Sequence, residues 1–100
     1  MTFPEFQTSI ARKDPPAGIG PVLQALWEDA NGRWDAAHTI VQQMASIEAM
    51  SVHAYLHREE GDLSNAMYWY RRVNKTMPAI SLENEWHALA TQLLNNNPSA

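Results

Sequence analysis

The chain has 100 residues and no cysteine, which excludes disulfide bonds, zinc–thiolate sites and cysteine nucleophiles. Its net charge is −4, and its largest basic group is Arg71, Arg72 and Lys75, so it lacks the basic footprint that nucleic-acid binding requires. No apolar run approaches the roughly 18 residues of a membrane span, and the first residues show no secretory signal. We therefore expect one cytoplasmic domain without nucleic-acid or membrane partners.

Proline marks the boundaries of the predicted helical region. Four of the six prolines lie within the first 21 residues, and none lies between residues 22 and 77. The N-terminal segment is therefore predicted to be an irregular arm, with a helical turn around Glu5–Arg12 as an open alternative. The predicted organisation is an N-terminal arm over residues 1–20, a helical-repeat domain over residues 21–94 and a disordered tail over residues 95–100.

Five helices are predicted after this arm from apolar residues at helical spacing. The first begins at Pro21 and ends before Gly32, where glycine supplies the left-handed conformation that stops a helix. The second runs to about Ala45, the third ends before Gly61, and the fourth ends before Pro78. No segment shows an alternating strand pattern, so the predicted fold class is all-α. The predicted N-caps of the third, fourth and fifth helices are Ser46, Asp62 and Ser81.

Two of these turns belong to a pattern that occurs twice, 29 residues apart, in Gly32–Val41 and Gly61–Tyr70. In both copies glycine is followed two positions later by a large apolar residue and five positions later by alanine. The pattern resembles the second helix of tetratricopeptide and Sel1-like repeats, and residues 68–72 are similar to the aromatic–basic run of Sel1-like repeats. The period is shorter than the usual repeat of about 34 residues, and the first helices lack the Trp-x-x-Leu-Gly signature.

This resemblance covers residues 21–77 and implies two antiparallel helical hairpins, followed by a C-terminal helix, in a protein–protein interaction module. The string from His53 to Tyr70 also looks like a family of small uncharacterised microbial α-helical proteins, which implies no particular activity. We expect a partner that is another protein or a second copy of the chain. The predicted anchors of that interface are the aromatic residues Tyr68, Trp69 and Trp86.

Three histidines are candidates for a functional cluster. His53 and His57 are four residues apart and therefore lie on one face of the third predicted helix. If the preceding turn is centred between residues 45 and 46, antiparallel packing places His38 level with His53, and Trp34 level with His57. A second turn near residues 61–62 places Tyr70 level with His53, and Asn65 or Ala66 level with His57. The predicted cluster therefore contains His38, His53, His57, Asn65 and Tyr70.

Three interpretations of this cluster stay open. The groups can satisfy one another inside a core, or they can orient a small ligand or act as acid and base in a minor enzyme. They can also bind a metal through His53 and His57, with His38 or Asp62 as a third ligand. Zinc proteases with this spacing carry Glu directly after the first His, whereas Ala54 stands here. No cofactor motif and no nucleophile elbow is found, so the sequence favours a binding module over an enzyme.

Two acidic pairs, Glu28-Asp29 and Glu59-Glu60, precede the two glycine stops. Carboxylates are disfavoured at the negative end of a helix dipole by roughly 0.3–1 kcal/mol each when exposed. We expect both pairs to be solvated and offset by Arg33 or Arg58. The alternative is an acidic rim that binds a basic partner.

Overall fold

The computed structural model describes residues 1–96, and this part of the chain contains six helices and no strand. The predicted all-α fold class is confirmed. The helices are α1 (Phe3–Arg12), α2 (Pro21–Ala30), α3 (Trp34–Gln42), α4 (Ile47–Glu59), α5 (Leu63–Arg72) and α6 (Leu82–Asn95). None of them is long and apolar enough to cross a lipid bilayer.

The two glycine turns have the same geometry. Gly32 has φ +79° and Gly61 has φ +89°, the left-handed region that glycine enters without a steric penalty. In the first turn, the amide of Arg33 donates to the carbonyl of Glu28 at 3.0 Å. In the second, the amide of Asp62 donates to the carbonyl of His57 at 2.9 Å. Both are Schellman motifs, which reverse the chain and allow α2 to pack against α3, and α4 against α5.

Side-chain caps fix where three of the helices begin. Each cap oxygen accepts a hydrogen bond from the backbone amide three residues later, at 3.1–3.3 Å. This satisfies one of the amides that the first turn of a helix leaves unpaired. The capping residues are those predicted from the sequence, Ser46, Asp62 and Ser81.

The first 20 residues differ from the prediction, because residues 3–12 form a helix rather than an irregular arm. Thr2 and Glu5 make a capping box, in which each side chain accepts a hydrogen bond from the other residue's backbone amide. Phe6 then buries its ring completely in the core. A local cap and one deeply buried aromatic side chain thus order this segment.

The first two residues of the predicted disordered tail belong to the end of α6 instead. Asn95 is the last residue of α6, and Asn96 is its C-cap. The remainder of that prediction, residues 97–100, lies outside the described residues.

Helix α4 is the central element of the fold. It contacts α2, α3, α5 and α6, and every residue from Ser51 to His57 is buried. The core around it is formed by fully buried side chains of α1–α4, which include Phe6, Leu26, Trp27, Val41, Val52 and Leu56. Polar side chains in this part of α4 are consequently removed from water, and their partners must come from α4 itself or from the helices packed against it.

Candidate functional site

The imidazole rings of His38, His53 and His57 meet between α3 and α4. The Nε2 atom of His53 lies 3.1 Å from Nε2 of His38 and 3.1 Å from Nε2 of His57. One nitrogen from each of the three rings falls within 4.8 Å of the other two. The structure therefore brings together three of the five residues predicted for the cluster.

Ordinary two-centre hydrogen bonds cannot satisfy both of these short contacts. A neutral imidazole nitrogen carries either one proton or one lone pair in the ring plane. Nε2 of His53 faces two nitrogens, so it can donate to one of them or accept from one of them. A single cation at the meeting point would instead be bound by all three lone pairs.

The spacing of these nitrogens is close to that of a tetrahedral metal site. Ligand nitrogens about 2.0–2.1 Å from zinc lie about 3.3 Å apart when the coordination is tetrahedral. The two observed separations are 3.1 Å. A shift of about 0.2 Å in each of these two separations, well within side-chain motion, would match them to tetrahedral coordination.

Glu60 orients one of the three rings. Its Oε2 atom lies 2.7 Å from Nδ1 of His57. A proton on Nδ1 that is donated to this carboxylate leaves the lone pair on Nε2, which faces the centre of the cluster. Carboxylates bonded to the far nitrogen of a histidine are the usual outer partners of metal-binding imidazoles.

Two indole rings enclose the cluster. Trp34 stacks on His38 with ring centroids 4.9 Å apart, and its Nε1 donates to the carbonyl of Leu56 at 2.8 Å. Trp69 of α5 stacks on His53 at 4.0 Å. These contacts restrict the rotation of both imidazoles, so the site is held in place before any ligand binds.

Burial favours the uncharged forms of His38 and His53. Desolvation, and after it the neighbouring rings of His38 and His57, lowers the pKa of His53 to about 4. Desolvation likewise lowers the pKa of His38. At neutral pH these two imidazoles are therefore free of the proton that would compete with a metal ion.

Within residues 1–96, the other two predicted members of the cluster make no hydrogen bond to the three imidazoles. Tyr70 turns toward α6, where its hydroxyl donates to Glu85 at 2.6 Å. Asn65 sits in the first turn of α5, while the imidazole hydrogen bonds run among the histidines and to Glu60. The predicted heights on α5 set Tyr70 level with His53, but the rotation of the helix presents Trp69 to the imidazole instead.

Tyr70 belongs to a second buried polar network that the sequence did not reveal. Glu85 accepts from the Tyr70 hydroxyl through Oε2 and from Arg58 Nη1, at 2.8 Å, through Oε1. Arg58 also donates to the carbonyl of Ile80. This network joins α4, α5 and α6, and its members are too far apart in the sequence for a spacing argument.

The acidic pairs are only partly solvated, in contrast to the prediction. Glu28 makes the expected ion pair with Arg33 at 2.7 Å. Asp29 is 9% exposed, however, and Glu59 has one carboxylate oxygen buried without a hydrogen-bond partner in the described part of the chain. These two carboxyl groups and Tyr55 line a cavity of about 410 Å³ between α1, α2, α4 and α6.

We expect the Asp29–Glu59 pair to make the fold less stable in alkali. Desolvation, with the neighbouring Asp29, raises the pKa of Glu59 to about 8. A carboxyl group whose pKa is raised by folding stabilises the fold while protonated, and this contribution is lost as the pH rises through the raised pKa. From about pH 7 to about pH 9, above the range in which the histidines of the unfolded chain titrate, the free energy of unfolding should fall by roughly 1 kcal/mol, a value discounted for solvent screening.

Urea unfolding at both pH values measures this effect. The Glu59→Gln variant should lose most of the pH dependence, whereas Glu48→Gln, at an exposed position of the same helix, should keep it. A wild-type protein equally stable at both values would contradict the prediction.

The three predicted interface residues differ in exposure. Tyr68 is 51% exposed, and Trp69 is half-buried against His53. Trp86 packs on the core, stacks near Phe6 with ring centroids 6.0 Å apart, and donates from Nε1 to the carbonyl of Leu26 at 3.1 Å. Trp86 is therefore mainly a packing residue in this fold.

No family model matches the chain, and comparisons with curated proteins and with solved structures found no match either. The resemblance to tetratricopeptide and Sel1-like repeats stays a prediction. The function must therefore be argued from the geometry of the chain itself.

Proposed function

We propose that this protein binds a divalent transition-metal ion through His38, His53 and His57. The observation that carries the proposal is the convergence of three Nε2 atoms, with two separations of 3.1 Å at His53. Imidazole ligands suit zinc, copper and nickel, whereas magnesium and calcium prefer oxygen ligands. Zinc is the first candidate because its usual tetrahedral geometry fits the spacing.

The surroundings support the same conclusion. Burial favours neutral imidazoles, and Glu60 sets the tautomer of His57. The ligands come from two helices, so a bound ion would hold α3 against α4. Metal binding would then stabilise the folded chain, since the unfolded chain does not present the three nitrogens together.

Titration with zinc tests the proposal. Protein freed of metal with a chelator should bind one zinc ion per chain in calorimetry, and at 100 times the dissociation constant the fold should gain about 2.7 kcal/mol. His38→Ala should weaken binding by more than about 100-fold, because loss of a ligand exceeds the 10–100-fold effect of losing an outer partner. Glu60→Gln should fall within that 10–100-fold range.

The matched control is His87→Ala, which removes a histidine on the exposed side of α6, outside the cluster. It should bind zinc like the wild-type protein. Circular dichroism of each variant without metal shows whether the fold is retained. Equal affinity of the wild-type protein and a folded His38→Ala variant would refute the proposed site.

A second function, self-association, is supported by the outer face of α5. Leu63, Met67 and Tyr68 are 51%, 41% and 51% exposed, although all three are large apolar or aromatic side chains. Two acidic residues, Glu60 and Asp62, precede this helix, and two arginines, Arg71 and Arg72, end it. Two copies of α5 packed antiparallel would place these opposite charges against each other.

Sedimentation of the wild-type protein and two charge variants tests this second candidate. Met67→Glu places a carboxylate in the centre of the apolar face and should convert a dimer to a monomer. Gln42→Glu adds the same charge at an exposed position of α3 and should leave the dimer intact. A wild-type protein that stays monomeric at high concentration would exclude self-association.

A further inference from the structure

We propose that a metal ion bound by these three histidines keeps one exchangeable coordination position, which takes a small anion from solution. This inference rests on the metal site proposed above and concerns the fourth ligand of that ion. It distinguishes a structural ion, closed by four protein ligands, from an ion that is open to an external ligand.

The described part of the chain supplies three ligands to this centre. The histidine group contains His38, His53 and His57 and no carboxylate. Glu60 bonds to Nδ1 of His57, which lies on the opposite edge of the ring from the converging Nε2 atoms. Zinc takes four ligands in most protein sites, so the fourth would be water or an anion.

The fourth position would lie between α3 and α5. Two ligands project from α4 and one from α3, which leaves the side facing α5. The side chain that α5 places there is Trp69, stacked on His53 at 4.0 Å. An indole is not a metal ligand, and Trp69 and His38 are the partly exposed members of this group, so this is the side from which an external ligand would reach the ion.

The positive charge of the bound ion favours an anion as the fourth ligand. Three imidazole ligands carry no negative charge, and the single carboxylate of Glu60 beside His57 only partly offsets the +2 charge of the ion, so an anion is favoured over water. The guanidinium of Arg72 lies 5.2 Å from the ring centre of Trp69, the indole that stacks on His53, and is therefore a positive charge near this side of the cluster. Azide, a linear anion of three atoms, is a small probe for such a position.

The cobalt(II) form of the protein tests this inference. Cobalt replaces zinc in tetrahedral sites, and its visible absorption bands report its ligands. Adding azide should change these bands in a saturable manner with one azide per cobalt. The Arg72→Ala variant should bind azide more weakly but retain cobalt, whereas Arg12→Ala on α1 should behave like the wild-type protein.

Two negative results have different meanings. Tetrahedral cobalt bands that do not respond to azide or to thiocyanate would overturn the exchangeable position and leave the metal site intact. Spectra identical to those of cobalt in buffer would overturn the metal site itself, and this inference with it. His53→Ala serves as the reference for a protein without the site.

Discussion

Replacing Glu85 with alanine should destabilise the protein by about 3 kcal/mol, the lower end of the range for breaking a buried ion pair, because it leaves the partly buried Arg58 without its counter-ion. Glu85 is 6% exposed and receives hydrogen bonds from Arg58 and Tyr70 at 2.8 and 2.6 Å. Small domains have free energies of unfolding of about 5–15 kcal/mol. The variant should therefore unfold at markedly lower urea concentration, or fail to fold at 37 °C.

Two further variants separate the parts of this network. Glu83→Ala removes an exposed carboxylate from the same helix and should change stability by less than about 0.5 kcal/mol. Tyr70→Phe removes only the hydroxyl group and should cost about 1–2 kcal/mol. A Glu85→Ala variant as stable as Glu83→Ala would show that the buried ion pair makes no net contribution.

Replacing Trp27 with alanine should cost about 3–5 kcal/mol, the range for truncation of a buried aromatic side chain. Trp27 is 1% exposed at the centre of the core, and its Nε1 donates to the hydroxyl of Ser9 at 3.2 Å. The substitution would leave a cavity and would also remove a bond between α2 and α1. Amide hydrogen exchange should therefore show faster exchange in α1 than in α4.

The control for this variant is Tyr68→Ala, which truncates an aromatic side chain that is 51% exposed. Its expected effect on urea unfolding of the monomer is less than about 0.5 kcal/mol. If Trp27→Ala and Tyr68→Ala unfold at the same urea concentration, the assignment of Trp27 to the core is wrong.

Local chemistry made the helix boundaries predictable. Gly32 and Gly61 stop helices because a left-handed residue is needed there, and Ser46 and Ser81 cap helices through their own hydroxyl groups. Helix α1 was anticipated only as an alternative, a helical turn around residues 5–12, although Thr2 and Glu5 have the spacing of a capping box. The prolines near it suggested an irregular chain, but Pro4 falls in the first turn, where proline is tolerated.

The sequence was sufficient to predict which residues lie level on neighbouring helices, but not the direction in which their side chains point. Counting from a turn of known position gives the residues that lie level on two antiparallel helices, which is sufficient to pair His38 with His53. The direction in which a side chain points depends on how the helix packs, and α5 directs Tyr70 toward Glu85. Contacts with α6 involve long sequence separations, so no local pattern indicated that Glu85 would bind Arg58.

Two of the four tryptophans, Trp34 and Trp69, stack directly on imidazoles of the cluster. The fluorescence of an excited indole depends on the groups that touch its ring, and copper(II) in particular quenches it at short range. The emission of these two indoles would therefore report directly on an ion bound at the three histidines. Occupancy of the three imidazoles could be followed by emission at low micromolar protein concentration, without any attached dye.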